Sequence, residues 1–129
     1  MSYYFATTLT DTTFDQAIEK VTEELKKEGF GVLTEIDVKA TLKKKIDVDF
    51  KPYRILGACN PGFAHKALSA EDKIGVFLPC NVIVTQNDDG NIDVAAVDPI
   101  ASMISVKNES LGGIAGQVQE KLKRVIAAL

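Results

Sequence analysis

Two apolar stretches, Cys80 to Gln86 (CNVIVTQ) and Asn91 to Val97 (NIDVAAV), are separated only by Asn87-Asp88-Asp89-Gly90. Both are rich in β-branched residues, which suit a pleated surface. The Asp-Gly pair tolerates the positive φ that a tight reversal needs. A strand, a tight turn and a returning strand can pair only antiparallel, so an all-parallel doubly wound sheet is ruled out.

The rest of the chain must supply the layers that bury this hairpin. Tyr3 to Leu9 (YYFATTL) reads as a strand. Asp11-Thr12-Thr13 offers caps for a helix reaching about Glu28, with Phe14, Ala17, Ile18, Val21 and Leu25 on its buried face. Gly29 stands where a left-handed cap residue belongs. Gly31 to Asp37 alternates as a second strand, and Asp37 can cap a short helix, Val38 to Ile46. Its lysines, Lys39, Lys43, Lys44 and Lys45, read as a solvated face offset by Asp47 and Asp49. Tyr53 to Cys59 (YRILGAC) reads as a third strand and Gly62 to Ala70 as a helix opened by Pro61. Ile74 to Leu78 is a short apolar run. Pro99 to Ser105 reads as a helical turn, and Leu111 to Leu129 as a helix with a stripe of Ile114, Val118, Leu122, Val125, Ile126 and Leu129. The order is βαβαβαββα: a single domain over residues 1–129, of class α+β, with one mixed or antiparallel sheet and helices packed on it.

The 129 residues suit one core, and 46% of them are apolar. The formal charge of −3 lacks the basic footprint of a nucleic-acid or anionic-membrane binder. No apolar run approaches the roughly 18–20 residues that cross a bilayer. The start, MSYYFATTLTDTT, has neither the basic nor the long apolar region of a secretory signal. A cytoplasmic protein is expected, and in a reducing compartment its two cysteines stay thiols.

Arg54 to Asn81 concentrates the chemistry. It holds both cysteines, the only histidine and two of the four prolines. Cys59 precedes Asn60-Pro61, at a helix mouth whose free N–H groups favour a thiolate. Cys80 opens the next long strand and is followed by Asn81. Cys59, Asn60, His65, Cys80 and Asn81 are the binding candidates: a polar pocket where the Cys-Asn pairs meet, with His65 at its rim. Cys59, His65 and Cys80 would supply three ligands to zinc or another soft divalent metal, completed by Asp98 if that residue lies close. Against this stands a plainer reading, in which both thiols are small buried hydrophobes and both asparagines serve turns. Leu111-Gly112-Gly113-Ile114-Ala115-Gly116 lacks the spacing of a phosphate loop. Close packing of that helix on the sheet or on another subunit would account for its glycines.

ILGACNPGFAHKAL, then LPCNVIV, then the hairpin and Val-Asp-Pro with Met103 four residues past Pro99, resembles the domain of unknown function 302 family. The likeness runs over essentially the whole chain, and its motif positions fall on Cys59, Asn60, Pro61, Leu68, Pro79, Cys80, Asp98 and Pro99. It implies a small α+β domain, found mainly in bacteria and archaea, and no assigned activity. His65 inherits no role from it. Two classes of function follow from the residues. One is a homodimeric small-ligand-binding or regulatory module. The other is a thiol- or metal-dependent enzyme using Cys59, Cys80 and His65.

Overall fold

The computed structural model describes residues 2–129. Five strands form one sheet: β1 (Tyr4–Leu9), β2 (Gly31–Asp37), β3 (Tyr53–Cys59), β4 (Cys80–Gln86) and β5 (Ile92–Val97). Their order is β1-β5-β4-β3-β2, and every neighbouring pair is antiparallel. The sheet is antiparallel throughout, and the β4–β5 hairpin turns at Asn87–Gly90, where Gly90 has φ +87°.

Helix α1 (Phe14–Lys27) starts on a capping box. The Gln16 backbone N–H donates to the Thr13 hydroxyl at 3.1 Å, and the Thr13 N–H donates back to the Gln16 side chain at 3.1 Å. Gly29 leaves the helix at φ +86°. Helix α2 (Val38–Ile46) is capped by Asp37, which accepts from the Ala40 N–H at 2.9 Å. Lys43 on α2 pairs with Asp47 at 2.9 Å and Asp49 at 3.2 Å, so the acidic residues after the basic run do offset it.

Helices α1 and α5 (Glu109–Ala127) cover one face of the sheet. Ala17, Val21 and Leu25 meet Leu56, Ala58, Cys80, Val82, Val84, Ile92, Val94 and Ala96, with Val118, Leu122, Val125 and Ile126 from α5. Phe14 and Ile18 are half-buried against the same cluster. Each fully buried Leu or Val here stabilises the fold by roughly 1.5–3 kcal/mol. Glu28 clamps the two helices, accepting from Arg124 Nε at 3.1 Å and Nη2 at 2.9 Å.

The remaining elements gather beyond one end of the sheet. They are α3 (Pro61–Ala70), a 3-10 helix (Asp72–Phe77), which is the form the apolar run before Pro79 takes, and α4 (Pro99–Ser102). With the first turns of α5 they make a second, smaller cluster around Ala67, Ile74 and Leu111. Helix α5 begins at Glu109, two residues earlier than its apolar stripe suggests, because Asn108 caps it by accepting from the Ser110 N–H at 3.0 Å.

The glycines at the start of α5 do not serve close packing on the sheet. A Cβ at Gly112, Gly113 or Gly116 would meet nothing within 4 Å. The reverse holds at Gly57 on β3, where a Cβ would collide with Thr34 Oγ1 and lie 2.8 Å from Pro79 Cγ. The two sites therefore respond oppositely to alanine. Gly113→Ala is expected to raise stability by about 0.4–1 kcal/mol through helix propensity. Gly57→Ala is expected to lower it by about 1–3 kcal/mol through overpacking. Urea denaturation of the two variants checks both signs.

Candidate functional site

A cavity of about 310 Å³ lies at the joint between the two apolar clusters. The main core contributes Phe30, Ala58, Cys80 and Val118 to its walls. The smaller cluster contributes Ala67, Leu78, Met103, Leu111 and Ile114. Strand β2 carries one extra residue between Val32 and Thr34, opposite Ala58 and Gly57. Such a bulge re-aims a side chain, and here Leu33, 69% exposed, reaches the cavity with Leu68 of α3 at its rim.

The two cysteines share this cavity. Cys80 opens β4 directly opposite Ala58 on β3, and Cys59 is the next residue. Cross-strand and along-strand spacings then set the two Cα atoms roughly 6 Å apart. Cys59 is half-buried and Cys80 is buried, and both are free thiols. Burial pushes the Cys80 thiol up to about 11, and the neighbouring charge of Cys59 acts in the same direction.

The other sequence candidates divide. Asn60 lines the cavity, but its amide is spent on the framework. Its Nδ2 donates to the Glu28 carbonyl at 3.3 Å, tying the end of α1 to the start of α3. It makes no side-chain cap to α3. Asn81 lies on the opposite face of the sheet, exposed, in a groove with Tyr3, Tyr4, Tyr53 and Ile83. The cause is the two-residue period of a strand: Cys80, Val82 and Val84 point to the core, so Asn81 points away. His65 is exposed on α3 and is not among the residues lining the cavity.

The expected polar pocket is thus corrected to an apolar one, with Asn60 the only lining residue that carries an amide. The expected ligand set of Cys59, His65 and Cys80 is not assembled. Among the described residues no three His, Cys, Asp or Glu side chains are grouped to hold a metal ion. Asp98 does not join such a set: it does not line the cavity, and its Oδ1 caps α4 through the Ile100 N–H at 3.0 Å and accepts from Gln119 Nε2 at 3.0 Å. Met103, Phe63 and Leu111 are among the apolar lining residues to which no polar motif of the sequence points. Met103 carried a signal, as part of the pattern after Asp98-Pro99.

The buried thiol makes stability depend on pH at the alkaline end. The unfolded chain ionises Cys80 near its ordinary value of 9.0, while the folded chain holds the proton to about 11. Above pH 9 the unfolded state therefore binds fewer protons, and stability falls as pH rises through 11. The loss should approach roughly 2–3 kcal/mol and be absent from Cys80→Ala. Denaturant melts at a series of alkaline pH values check it.

The sequence model of the family described as Domain of unknown function DUF302 matches residues 5–129. The crystal structure of an uncharacterized conserved protein DUF302 from Bacillus stearothermophilus superposes with a TM-score of 0.90 at 30% identity, covering 98% of each chain. No protein with a curated description matches this sequence. Among the described residues no helix is long and apolar enough to cross a membrane. By its sequence over nearly its whole length, and by its fold, the chain belongs to the DUF302 family.

Proposed function

We propose that this protein is a homodimeric small-ligand-binding or regulatory module whose ligand sits, apolar part inward, in the cavity between the two clusters. The observation that carries this reading is the cavity itself. It opens to solvent past Leu33 and Leu68, its volume of about 310 Å³ falls at the lower end of the range of natural ligand pockets, and its walls are almost wholly apolar. Its titratable lining groups are the two thiols alone, which favours holding a ligand over acid–base work on one.

The neutral apolar dye N-phenyl-1-naphthylamine reports on such a site. It is expected to bind one per chain with enhanced fluorescence, and Ala64→Trp, which places an indole on the cavity wall, should abolish this while leaving the fold intact by circular dichroism. Dye binding that is absent, or unchanged in Ala64→Trp, would sink the proposal.

The second copy belongs on the outer sheet face. The stripe of α5 cannot take it, since Val118, Leu122, Val125 and Ile126 are spent on the chain's own core. The outer face carries a groove lined by Tyr3, Tyr4, Tyr53, Ile83 and Ala95, and among the described residues Asp93 is the only charged one lining it. That carboxylate is already engaged by Thr8 at 2.7 Å and Asn87 at 2.9 Å. A two-fold interface sets a surface against itself, so a near-neutral, tyrosine-rich face suits it where a charged one would repel its own copy. Light scattering should give twice the 14.0 kDa chain mass, and Ile83→Lys should return it to the single value.

A further inference from the structure

Among the described residues that line the cavity, Asn60 alone carries a side-chain amide, and none is Asp, Glu, His, Lys or Arg. We propose that the cavity takes a neutral, mainly hydrocarbon molecule with one hydroxyl, which donates to Asn60 Oδ1 while the hydrocarbon lies against the apolar walls. The inference rests on the reading of the cavity as the protein's binding site and names the chemical class of its ligand.

The orientation of the amide is fixed by its partner. The Glu28 carbonyl can only accept, so the atom that meets it at 3.3 Å is Nδ2. Gly29 makes room for that bond: a Cβ there would stand 3.0 Å from Nδ2, and the φ of +86° already suits glycine. The bond spends only the nitrogen half of the amide. Oδ1 lies toward the first turn of α3, where a Cβ on Gly62 would stand 3.8 Å from it. It does not cap that helix, and the only hydrogen bond of this side chain among the described residues is the one Nδ2 gives to Glu28. No buried side-chain oxygen or nitrogen among those residues lacks a partner, so this unbonded oxygen is accessible. Asn60 thus presents a held acceptor beside an apolar space.

Such a site selects by charge and by donor. A carboxylate or an ammonium carried inward would lose its water and find no opposite charge on the walls. Burial keeps the proton on Cys80, so that thiol adds no charge near neutral pH. A molecule without a donor would cover Oδ1 and leave it unpaired. A hydroxyl pairs with it and stays neutral.

The test is displacement of N-phenyl-1-naphthylamine from the reduced protein at neutral pH by three probes of similar size. Octan-1-ol is neutral and donates, 1-methoxyheptane has as many heavy atoms but no donor, and octanoate is an anion. Octan-1-ol is expected to bind about two- to tenfold more tightly than the ether, the worth of one net hydrogen bond, and octanoate to bind weakest of the three. Asn60→Leu keeps the branched shape and removes the acceptor, so it should still take the dye and lose the preference for alcohol over ether. The comparison of probes on the wild-type chain decides the matter even where loss of the Glu28 bond unfolds that variant. An ether bound as tightly as the alcohol overturns the proposal. So does octanoate bound more tightly than either, or a preference that survives in folded Asn60→Leu. Each of those three results leaves the cavity standing as a binding site, whereas a chain that takes neither dye nor alcohol removes both readings.

Discussion

An antiparallel sheet whose core face must be buried sets the rest of this structure. Its inner face needs two apolar helical stripes, and α1 and α5 supply them. The 19 residues of α5 run about 28 Å, whereas strands of six or seven residues span only about 20–24 Å. The first turns of α5 therefore overhang the sheet. Leu111 and Ile114 there pack with α3 and the 3-10 helix in the second cluster, and α4 packs against α5. Two clusters result where one continuous core would otherwise form, and the cavity is the gap at their junction.

This origin explains the character of the site. A gap between two apolar clusters is lined by apolar side chains, and the polar residues nearby are consumed in fixing its walls. Asn60 holds the α1 turn, Asp98 caps α4, and Asn108 caps α5 while donating to the Ala70 carbonyl at 2.8 Å. What chemistry remains at the surface of the cavity is sulfur, the most polarizable atom that an apolar wall carries at little desolvation cost. The burial that keeps the proton on Cys80 also makes it a poor nucleophile at neutral pH.

Much of the fold was legible because its signals are local. The Asn-Asp-Asp-Gly turn, the capping residues Thr13 and Asp37, the left-handed Gly29 and the stripes on α1 and α5 each act within a few residues, and each appears where the chain says it should. The site was legible only in part. The nearness of Cys59 and Cys80 follows from two strands meeting at their ends. The placement of Asn81 was also written in the chain, since the alternation of Cys80, Val82 and Val84 already turns Asn81 outward. Adjacency in the chain therefore sets Cys80 and Asn81 on opposite faces. His65 fails for a similar reason: neighbours in sequence at a helix start point to different sides one turn later.

What the sequence determined by itself is the set of elements, their antiparallel pairing at the hairpin, and which stripe of each helix is buried, because periods of 2 and 3.6 residues are properties of the backbone. What only the tertiary structure decided is which residues face one another across the cavity. Its walls are drawn from Phe30, from Leu33 on a bulge, from both ends of the β3–β4 connection, and from Met103 and the overhanging turns of α5. No local signal links these segments. They meet because a long helix outreaches a short sheet, and the elements that fill the overhang leave space between themselves and the core.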